Sequence, residues 1–122
     1  FTYIDDIVQS LLKIINKPPL KNNFFDTNSP DPSSSWAPHK IFNIGNSNPI
    51  PLMEYIISLE KALGMVSKKE YLPMQAGDVE ATAADTSLLE EWISFKPRTS
   101  VANGINKFVT WYKEYYGIKN EH

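Results

Sequence analysis

The stretch Ile4-Asp5-Asp6-Ile7-Val8-Gln9-Ser10-Leu11-Leu12-Lys13-Ile14-Ile15 sets the character of this chain. Its aliphatic residues recur every three or four positions, which is the spacing of one face of an α-helix. The residues of that face are Ile4, Ile7, Val8, Leu11, Leu12 and Ile15. Asp5 or Asp6 suits the N-cap, and Pro18-Pro19 stop the helix. The stretch therefore predicts an amphipathic helix with one wide apolar stripe.

Three further segments have helical patterns. The second helix has Pro51 in its first turn and ends at Gly64. A short third helix is capped by Asp85. The last helix begins at Thr99 and ends at Gly117. The predicted inner faces comprise Leu52, Tyr55, Ile56, Leu59 and Leu63, then Leu88, Leu89 and Trp92, then Val101, Ile105, Phe108, Val109, Tyr112 and Tyr116.

Residues 1–4, 40–44 and 70–72 have the composition of short strands. Because they are too few and too short for a self-sufficient sheet, we expect them to pair with another part of the protein. Residues 18–39 are rich in Pro, Ser, Asn and Asp and predict a long surface loop. The expected fold is a mostly helical α+β domain over residues 1–122, with about four helices and two or three short strands.

The composition excludes several classes of protein. The chain has twelve Lys and Arg and fourteen Asp and Glu, which gives a formal charge of −2. It therefore lacks the excess of positive charge that binds the phosphate backbone of a nucleic acid. No apolar run approaches the ~20 residues that cross a bilayer, so we expect no membrane partner. The absence of cysteine rules out disulfides and thiolate metal sites, and it fits a cytoplasmic protein.

The motifs of several catalytic sites are missing. No G-x-G-x-x-G or Walker pattern occurs, so the chain itself has no predicted cofactor site. The two histidines, His39 and His122, lie in a loop and at the terminus, where they cannot assemble a metal site or a triad. The sequence therefore predicts no catalytic residue and no metal site in this chain.

Three segments, taken in their order along the chain, nevertheless resemble a known enzyme family. Residues 1–8 (Phe1-Thr2-Tyr3-Ile4-Asp5-Asp6-Ile7-Val8), then Phe42-Asn43-Ile44-Gly45-Asn46, then Gly77-Asp78 followed by Ala84-Asp85, resemble the C-terminal half of extended short-chain dehydrogenase/reductase nucleotide-sugar enzymes. The subgroup most resembled is the UDP-glucuronate 4-epimerases. The segments that favour this subgroup are residues 44–49, 52–56, 72–79, 96–100 and 108–112.

The resemblance implies that cofactor binding and substrate binding belong to two different parts of the enzyme. In this family an upstream Rossmann domain holds NAD, and its Tyr-x-x-x-Lys pair performs the proton chemistry of a 4-keto epimerisation. This chain would be the smaller C-terminal, substrate-binding lobe of such an isomerase, with UDP-glucuronate and UDP-galacturonate as substrates. It would lack the N-terminal NAD-binding domain, which would be its partner, and would be inactive alone. The family also suggests a role in polysaccharide biosynthesis.

The resemblance also implies five substrate-binding residues. Phe1 matches an aromatic residue at the uridine end of the pocket, and Asn48 a residue near the uracil. Gln75 stands where many family members have an arginine that reaches the diphosphate. Asp78 matches an acid that accepts from the ribose, and Thr82 matches another pocket position. From the residues alone, the preferred interpretation of Gly77-Asp78 is a plain turn in which the aspartate bonds its own backbone.

Two other functions remain open at this point. One is the same lobe in a nucleotide-sugar dehydratase or decarboxylase, and the other is a free-standing helical binding module. We also expect the isolated chain to self-associate through apolar surface, and to bind UDP-glucuronate weakly or not at all.

Overall fold

The computed structural model describes residues 1–79 and 81–118 and contains four helices in that part of the chain. They are α1 (Ile4–Ile15), α2 (Leu52–Leu63), α3 (Ser87–Ile93) and α4 (Val101–Tyr116). The four helices that the sequence predicts are thereby confirmed. His122 lies outside the described residues.

The chain divides into two compact units. The α1/α3 unit comprises Thr2–Ser47 and Ala83–Arg98. Among the described residues, the α2/α4 unit comprises Phe1 and the ranges 48–79, 81–82 and 99–118.

The core of the α1/α3 unit is small and centres on α3. Leu89 and Pro97 are fully buried and Ile93 nearly so. The end of α1 is tied to α3 by a reciprocal pair of hydrogen bonds. Lys17 Nζ donates to the Trp92 carbonyl (2.5 Å), and Trp92 Nε1 donates to the Lys17 carbonyl (2.9 Å). The Lys17 ammonium also lies 5.0 Å from the centre of the indole, within the range of a cation–π contact.

The start of α1 differs from the prediction. The N-cap is Tyr3, in extended backbone and without a side-chain cap, whereas Asp5 and Asp6 lie inside the first turn. There the two carboxylates can still offset the positive end of the helix dipole. The prediction that Asp5 or Asp6 is the cap is therefore wrong.

The α2/α4 unit packs its two helices against each other. Ile105 and Val109 are buried and lie one turn apart on α4, and Gly104 is buried beside them. The Ser100 hydroxyl caps α4 by accepting from the Asn103 amide (3.3 Å), so the helix begins at Val101 and not at Thr99.

The ends of α2 and α4 are mostly as predicted. Gly64 and Gly117 adopt left-handed conformations, with φ of 74° and 64°, and end their helices as expected. Pro51 is the N-cap of α2 and lies just outside the first turn.

Several predicted inner-face residues of this unit are exposed instead. Leu52 is 63% exposed, and Phe108 and Tyr116 of α4 also face solvent. The reason is geometric, because a pair of short helices has only one line of contact. Residues at the helix ends or off that line have nothing to pack against within the pair.

No predicted strand forms in the described residues. Residues 1–4, 40–44 and 70–72 contain none, and the β-type pairing seen is an isolated antiparallel bridge between Ser34 and Lys40. A strand needs a neighbour for its backbone N–H and C=O groups, and no such neighbour is present in the described part of the chain. The two or three strands are therefore a wrong prediction for this structure.

The long loop is confirmed, and it contains local order. Residues 18–39 contain no helix. The Asp31 carboxylate accepts from the Ser33 amide (2.8 Å) and the Ser33 hydroxyl (2.9 Å), and these bonds lower the pKa of Asp31. Nowhere in the described residues is there a helix with both the length and the apolar character needed to cross a membrane.

Candidate functional site

The segment from Gln75 to Asp78 forms a tight turn. The Asp78 amide donates to the Gln75 carbonyl (3.2 Å), and Gly77 has a φ of 95°. A positive φ at the third residue is the mark of a type II turn, where glycine is favoured because it has no Cβ. Such a turn holds its first and last Cα atoms within about 7 Å, so it brings Gln75 and Asp78 together.

The side chains of this turn are available to a ligand. Gln75 and Asp78 are both exposed, and neither side chain has a hydrogen-bond partner within the described residues. The amide can donate and accept, whereas the carboxylate only accepts. The pair can therefore accept from hydroxyl groups and donate to an anionic oxygen, but it supplies no positive charge.

Phe1 forms a second feature of the same unit. Its ring stacks on Tyr55 of α2, with the centroids 4.2 Å apart and an interplanar angle of 20°. Phe1 remains 56% exposed, so the stack has an open apolar face. A face of this kind suits a planar base.

Tyr55 is a candidate that the sequence prediction missed. Its place in the helical pattern of α2 predicts a core residue, and the structure leaves it half-buried beneath Phe1. The two residues are 54 positions apart, so no local spacing could have paired them.

All five predicted binding residues lie in the α2/α4 unit. Asn48 and Thr82 are exposed there, as are Phe1, Gln75 and Asp78. The structure joins Gln75 to Asp78 through the turn. Within the described residues no hydrogen bond or ring contact joins that turn to Phe1 or Thr82.

Other parts of the sequence resemblance have structural roles in the α1/α3 unit. The Asn46 amide donates to the Thr2 hydroxyl (3.0 Å), and the Asn43 side chain donates to the Asp85 carbonyl (3.2 Å). A Cβ on the buried Gly45 would lie 3.0 Å from the Cβ of Ala84. Three segments that are distant in sequence therefore meet at one point.

Asp85 lies one residue before the N-cap of α3, which is Thr86, so the prediction that Asp85 caps this helix is wrong by one position. Its Oδ1 accepts from the Ser87 amide (3.0 Å) and the Ser87 hydroxyl (2.7 Å). These two bonds stabilise the charged form and lower the pKa of Asp85. The carboxylate is thus hydrogen-bonded to the first residue of α3.

The glycines of this chain do not form a dinucleotide-binding motif. The dinucleotide motif places glycines between a strand and the start of a helix. Here Gly64 and Gly117 end helices, Gly77 lies in the 75–78 turn, and Gly45 and Gly104 are buried. No group of three or more His, Cys, Asp or Glu side chains suited to a metal ion occurs among the described residues.

Comparison with known proteins gives several similar sequences, although no protein-family model matches the chain. Protein CapI of Staphylococcus aureus is 46% identical over 116 residues, which are 95% of this chain and 35% of that protein. The probable UDP-glucuronate 4-epimerase of Rhizobium meliloti (strain 1021) is 40% identical, over 95% of this chain and 34% of its own length. UDP-glucuronate 4-epimerase 1 of Arabidopsis thaliana is 37% identical, over 99% and 27%.

The chain thus spans about a third or less of the length of these relatives. Over nearly all of its own length it is homologous to part of the proteins named UDP-glucuronate 4-epimerase, with which it shares 36–40% identity.

Proposed function

We propose that this chain is the C-terminal, substrate-binding part of a nucleotide-sugar 4-epimerase that interconverts UDP-glucuronate and UDP-galacturonate through a 4-keto intermediate. The observation that carries the proposal is the homology, which extends over 95–99% of the chain in the relatives named UDP-glucuronate 4-epimerase. Such similarity along the whole chain is not expected of a free-standing helical module.

In this proposal the turn at residues 75–78 binds the polar part of the substrate. The Asp78 carboxylate accepts from the ribose hydroxyls, and the Gln75 amide donates to a diphosphate oxygen. Because Gln75 is neutral, the charge of the diphosphate is balanced by groups outside this turn. The Phe1 ring, supported by Tyr55, packs against the uridine end, and Asn48 and Thr82 line the same pocket.

The remaining chemistry belongs to the rest of the full-length protein. NAD supplies hydride transfer when bound, and its site lies in a Rossmann domain outside this chain, since the glycines present here do not fit it. This chain has no catalytic residue of its own, so the isolated 122-residue polypeptide is inactive. The proposed setting is cytoplasmic polysaccharide biosynthesis.

A chimaera tests the proposal directly. The matched third of the Rhizobium meliloti relative is replaced by this chain, and the purified protein is incubated with UDP-glucuronate while NMR follows the sugar signals. We expect UDP-galacturonate to form. An eliminated or decarboxylated sugar would assign the chain to the dehydratase or decarboxylase alternative instead.

Variants of the same chimaera test the site. Gln75→Ala and Asp78→Asn should each raise KM by about tenfold, because each removes one hydrogen bond to the substrate. Glu70→Gln is the matched control, since Glu70 is exposed and lies outside the turn. A chimaera that is active and unaffected by both site variants would remove Gln75 and Asp78 from the pocket.

A further inference from the structure

A polar cavity lies beside the C-terminal end of α3. Its volume is about 370 Å³, and its lining consists of Glu90, Ser94, Phe95, Lys96 and Arg98. All five residues belong to the α1/α3 unit. Cavities that bind small molecules typically measure about 300–1,000 Å³, so the size of this cavity suits one small molecule.

The backbone after α3 brings two cationic side chains to this cavity. Ser94 ends the helix in a left-handed conformation, with a φ of 50°, so the chain leaves the helix at that point. Pro97 is fully buried, and a proline favours extended backbone at the residue before it, here Lys96. Lys96 and Arg98 are exposed on either side of the buried proline. The local fold therefore holds both cations at one surface.

Arg98 brings a guanidinium group that is available to a ligand. Within the described residues this group has neither a hydrogen bond nor a salt bridge, and the Ser94 hydroxyl has no hydrogen-bond partner. The Lys13 ammonium lies 5.6 Å from the centre of the Phe95 ring and adds a positive charge beside the cavity. An anionic group can therefore bind at Arg98 without displacing a contact of the described structure.

Lys96 and Glu90 form the other charged part of the lining. The Lys96 ammonium lies 3.1 Å from Glu90 Oε1, which also accepts from the Thr86 hydroxyl (2.7 Å). The bond from Thr86 and the contact with Lys96 lower the pKa of Glu90, so this group is a carboxylate at neutral pH. Because the pair is neutral overall, the lining carries one net positive charge, that of Arg98.

We propose that this cavity binds a hexose that carries one anionic substituent, a phosphate or a carboxylate. The planar guanidinium of Arg98 presents paired N–H donors whose geometry matches either group. Glu90 accepts from sugar hydroxyls, and the Ser94 hydroxyl both donates and accepts. The half-buried Phe95 ring offers an apolar surface to the C–H face of a pyranose.

The inference goes beyond the proposed function and does not rest on it. The five residues assigned to the nucleotide sugar belong to the α2/α4 unit, whereas the lining of this cavity belongs wholly to the α1/α3 unit. A volume at the lower end of the range for small-molecule sites favours a single sugar ring over a complete nucleotide sugar.

An NMR titration of the isotope-labelled 122-residue chain tests the proposal, with glucose 1-phosphate and glucuronate as the two anionic probes. We expect saturable shifts of the amide signals of Ser94, Phe95 and Lys96 at millimolar concentrations. Glucose and inorganic phosphate are the control ligands, and each should bind about tenfold more weakly because it offers only one part of the recognised chemistry. Saturation by one anionic sugar and not by the other identifies the anionic group as phosphate or as carboxylate.

Three variants locate the binding site. Arg98→Gln should weaken binding of the anionic sugar about tenfold, because it removes the charge and the paired donors. Arg98→Lys should weaken it about threefold, since it keeps the charge and loses the paired geometry. Lys21→Gln is the matched control and should bind like the parent, because Lys21 is an exposed cation of the same unit outside the cavity. Amide spectra that match the parent outside the cavity verify that each variant is folded.

Three results would overturn the proposal. They are the absence of saturable shifts at residues 94–96, binding of inorganic phosphate as tight as that of glucose 1-phosphate, and binding that Arg98→Gln leaves unchanged. The same titration of the chimaera decides the question if the 122-residue chain does not give the spectrum of a folded protein. The readout is binding and not turnover, so a folded chimaera that does not epimerise UDP-glucuronate contradicts the proposed function without affecting this result.

Discussion

At the scale of single residues, Gly45 marks the point where three segments of the α1/α3 unit converge. A Cβ there would lie 3.0 Å from the Cβ of Ala84, a methyl group on a backbone that cannot rotate away, and 3.6 Å from the Thr2 hydroxyl oxygen. We expect Gly45→Ala to lower the free energy of unfolding by about 1–3 kcal/mol through overpacking. Urea unfolding followed by circular dichroism measures this change.

The control for Gly45 is a compensating change at its neighbour. Ala84→Gly removes the methyl group that the new Cβ would meet, so the double variant should recover a large part of the loss. If Gly45→Ala is as stable as the parent, or if Ala84→Gly gives no recovery, crowding at this point is not the cause.

Gly77 is the residue that sets the geometry of the proposed substrate turn. Its φ of 95° strains any residue with a Cβ, although the space around it is open. In the chimaera, Gly77→Ala should raise KM for UDP-glucuronate by about threefold to tenfold with little change in kcat, because the strain displaces Gln75 relative to Asp78. Gly77→Asn should have a smaller effect, since asparagine tolerates positive φ. Equal and large losses of kcat in both variants would point to a different role for the turn.

At the scale of elements, Glu60 of α2 binds the segment that follows the helix. Its Oε1 accepts from the Ser67 amide (2.7 Å) and the Ser67 hydroxyl (2.6 Å) and forms an ion pair with Lys69. The bond from Lys69, with those from Ser67, lowers the pKa of Glu60 from 4.5 to about 2. The carboxylate therefore stabilises the folded unit fully above pH 4.5, and this contribution is lost as the pH falls towards 2.

Glu60→Gln should remove this acid dependence. We expect the variant to be less stable than the parent at neutral pH and equally stable near pH 2, with the melting temperatures converging between the two. Thermal unfolding at a series of pH values measures this. Glu70→Gln, an exposed neighbour without a salt bridge among the described residues, should leave the pH profile of the parent unchanged. A Glu60→Gln profile parallel to that of the parent would show that the contact does not operate in solution.

The elements also show which features sequence could predict. The four helices and the glycine stops at Gly64 and Gly117 were predictable because they depend on spacing and backbone preference within a few residues. The strands were not, because a strand exists only where a second strand pairs with it. The orientation of α1 was not predictable either, since Asp6 and Ser10 are buried in a unit whose other helix, α3, lies about eighty residues away in sequence.

The candidate site also has features that the sequence could predict and features that it could not. The turn at Gly77-Asp78 could be read from the sequence, because Gly and Asp favour turns for local reasons. The support of Phe1 by Tyr55 could not, because it joins the first residue to the middle of the chain. The substrate roles of Gln75, Asp78, Phe1, Thr82 and Asn48 are predictions from the family resemblance.

At the scale of the whole molecule, the chain alone should be a poor receptor for its proposed substrate. The turn offers a neutral amide and a carboxylate, and neither neutralises a diphosphate. Isothermal titration of the 122-residue chain with UDP-glucuronate should therefore show no saturable binding in the micromolar range. UDP is the control ligand, because it separates nucleotide binding from sugar binding. Micromolar affinity for UDP-glucuronate would show that the lobe recognises its substrate without help.

The exposed aromatic face of α4 leads to a prediction about association. Phe108, Trp111, Tyr115 and Tyr116 are 46–69% exposed and form ring contacts along the helix, including Trp111 on Tyr115 at 5.3 Å. Aromatic residues are enriched at interfaces between proteins because they bury large apolar area at a small entropic cost. We expect the isolated chain to self-associate through this face, with a sedimentation coefficient that rises with concentration. The double variant Trp111→Ser, Tyr115→Ser should remain monomeric, whereas Ala102→Ser, on the opposite side of α4, should associate like the parent. A parent chain that is monomeric at every concentration, or a double variant that still associates, would contradict this assignment.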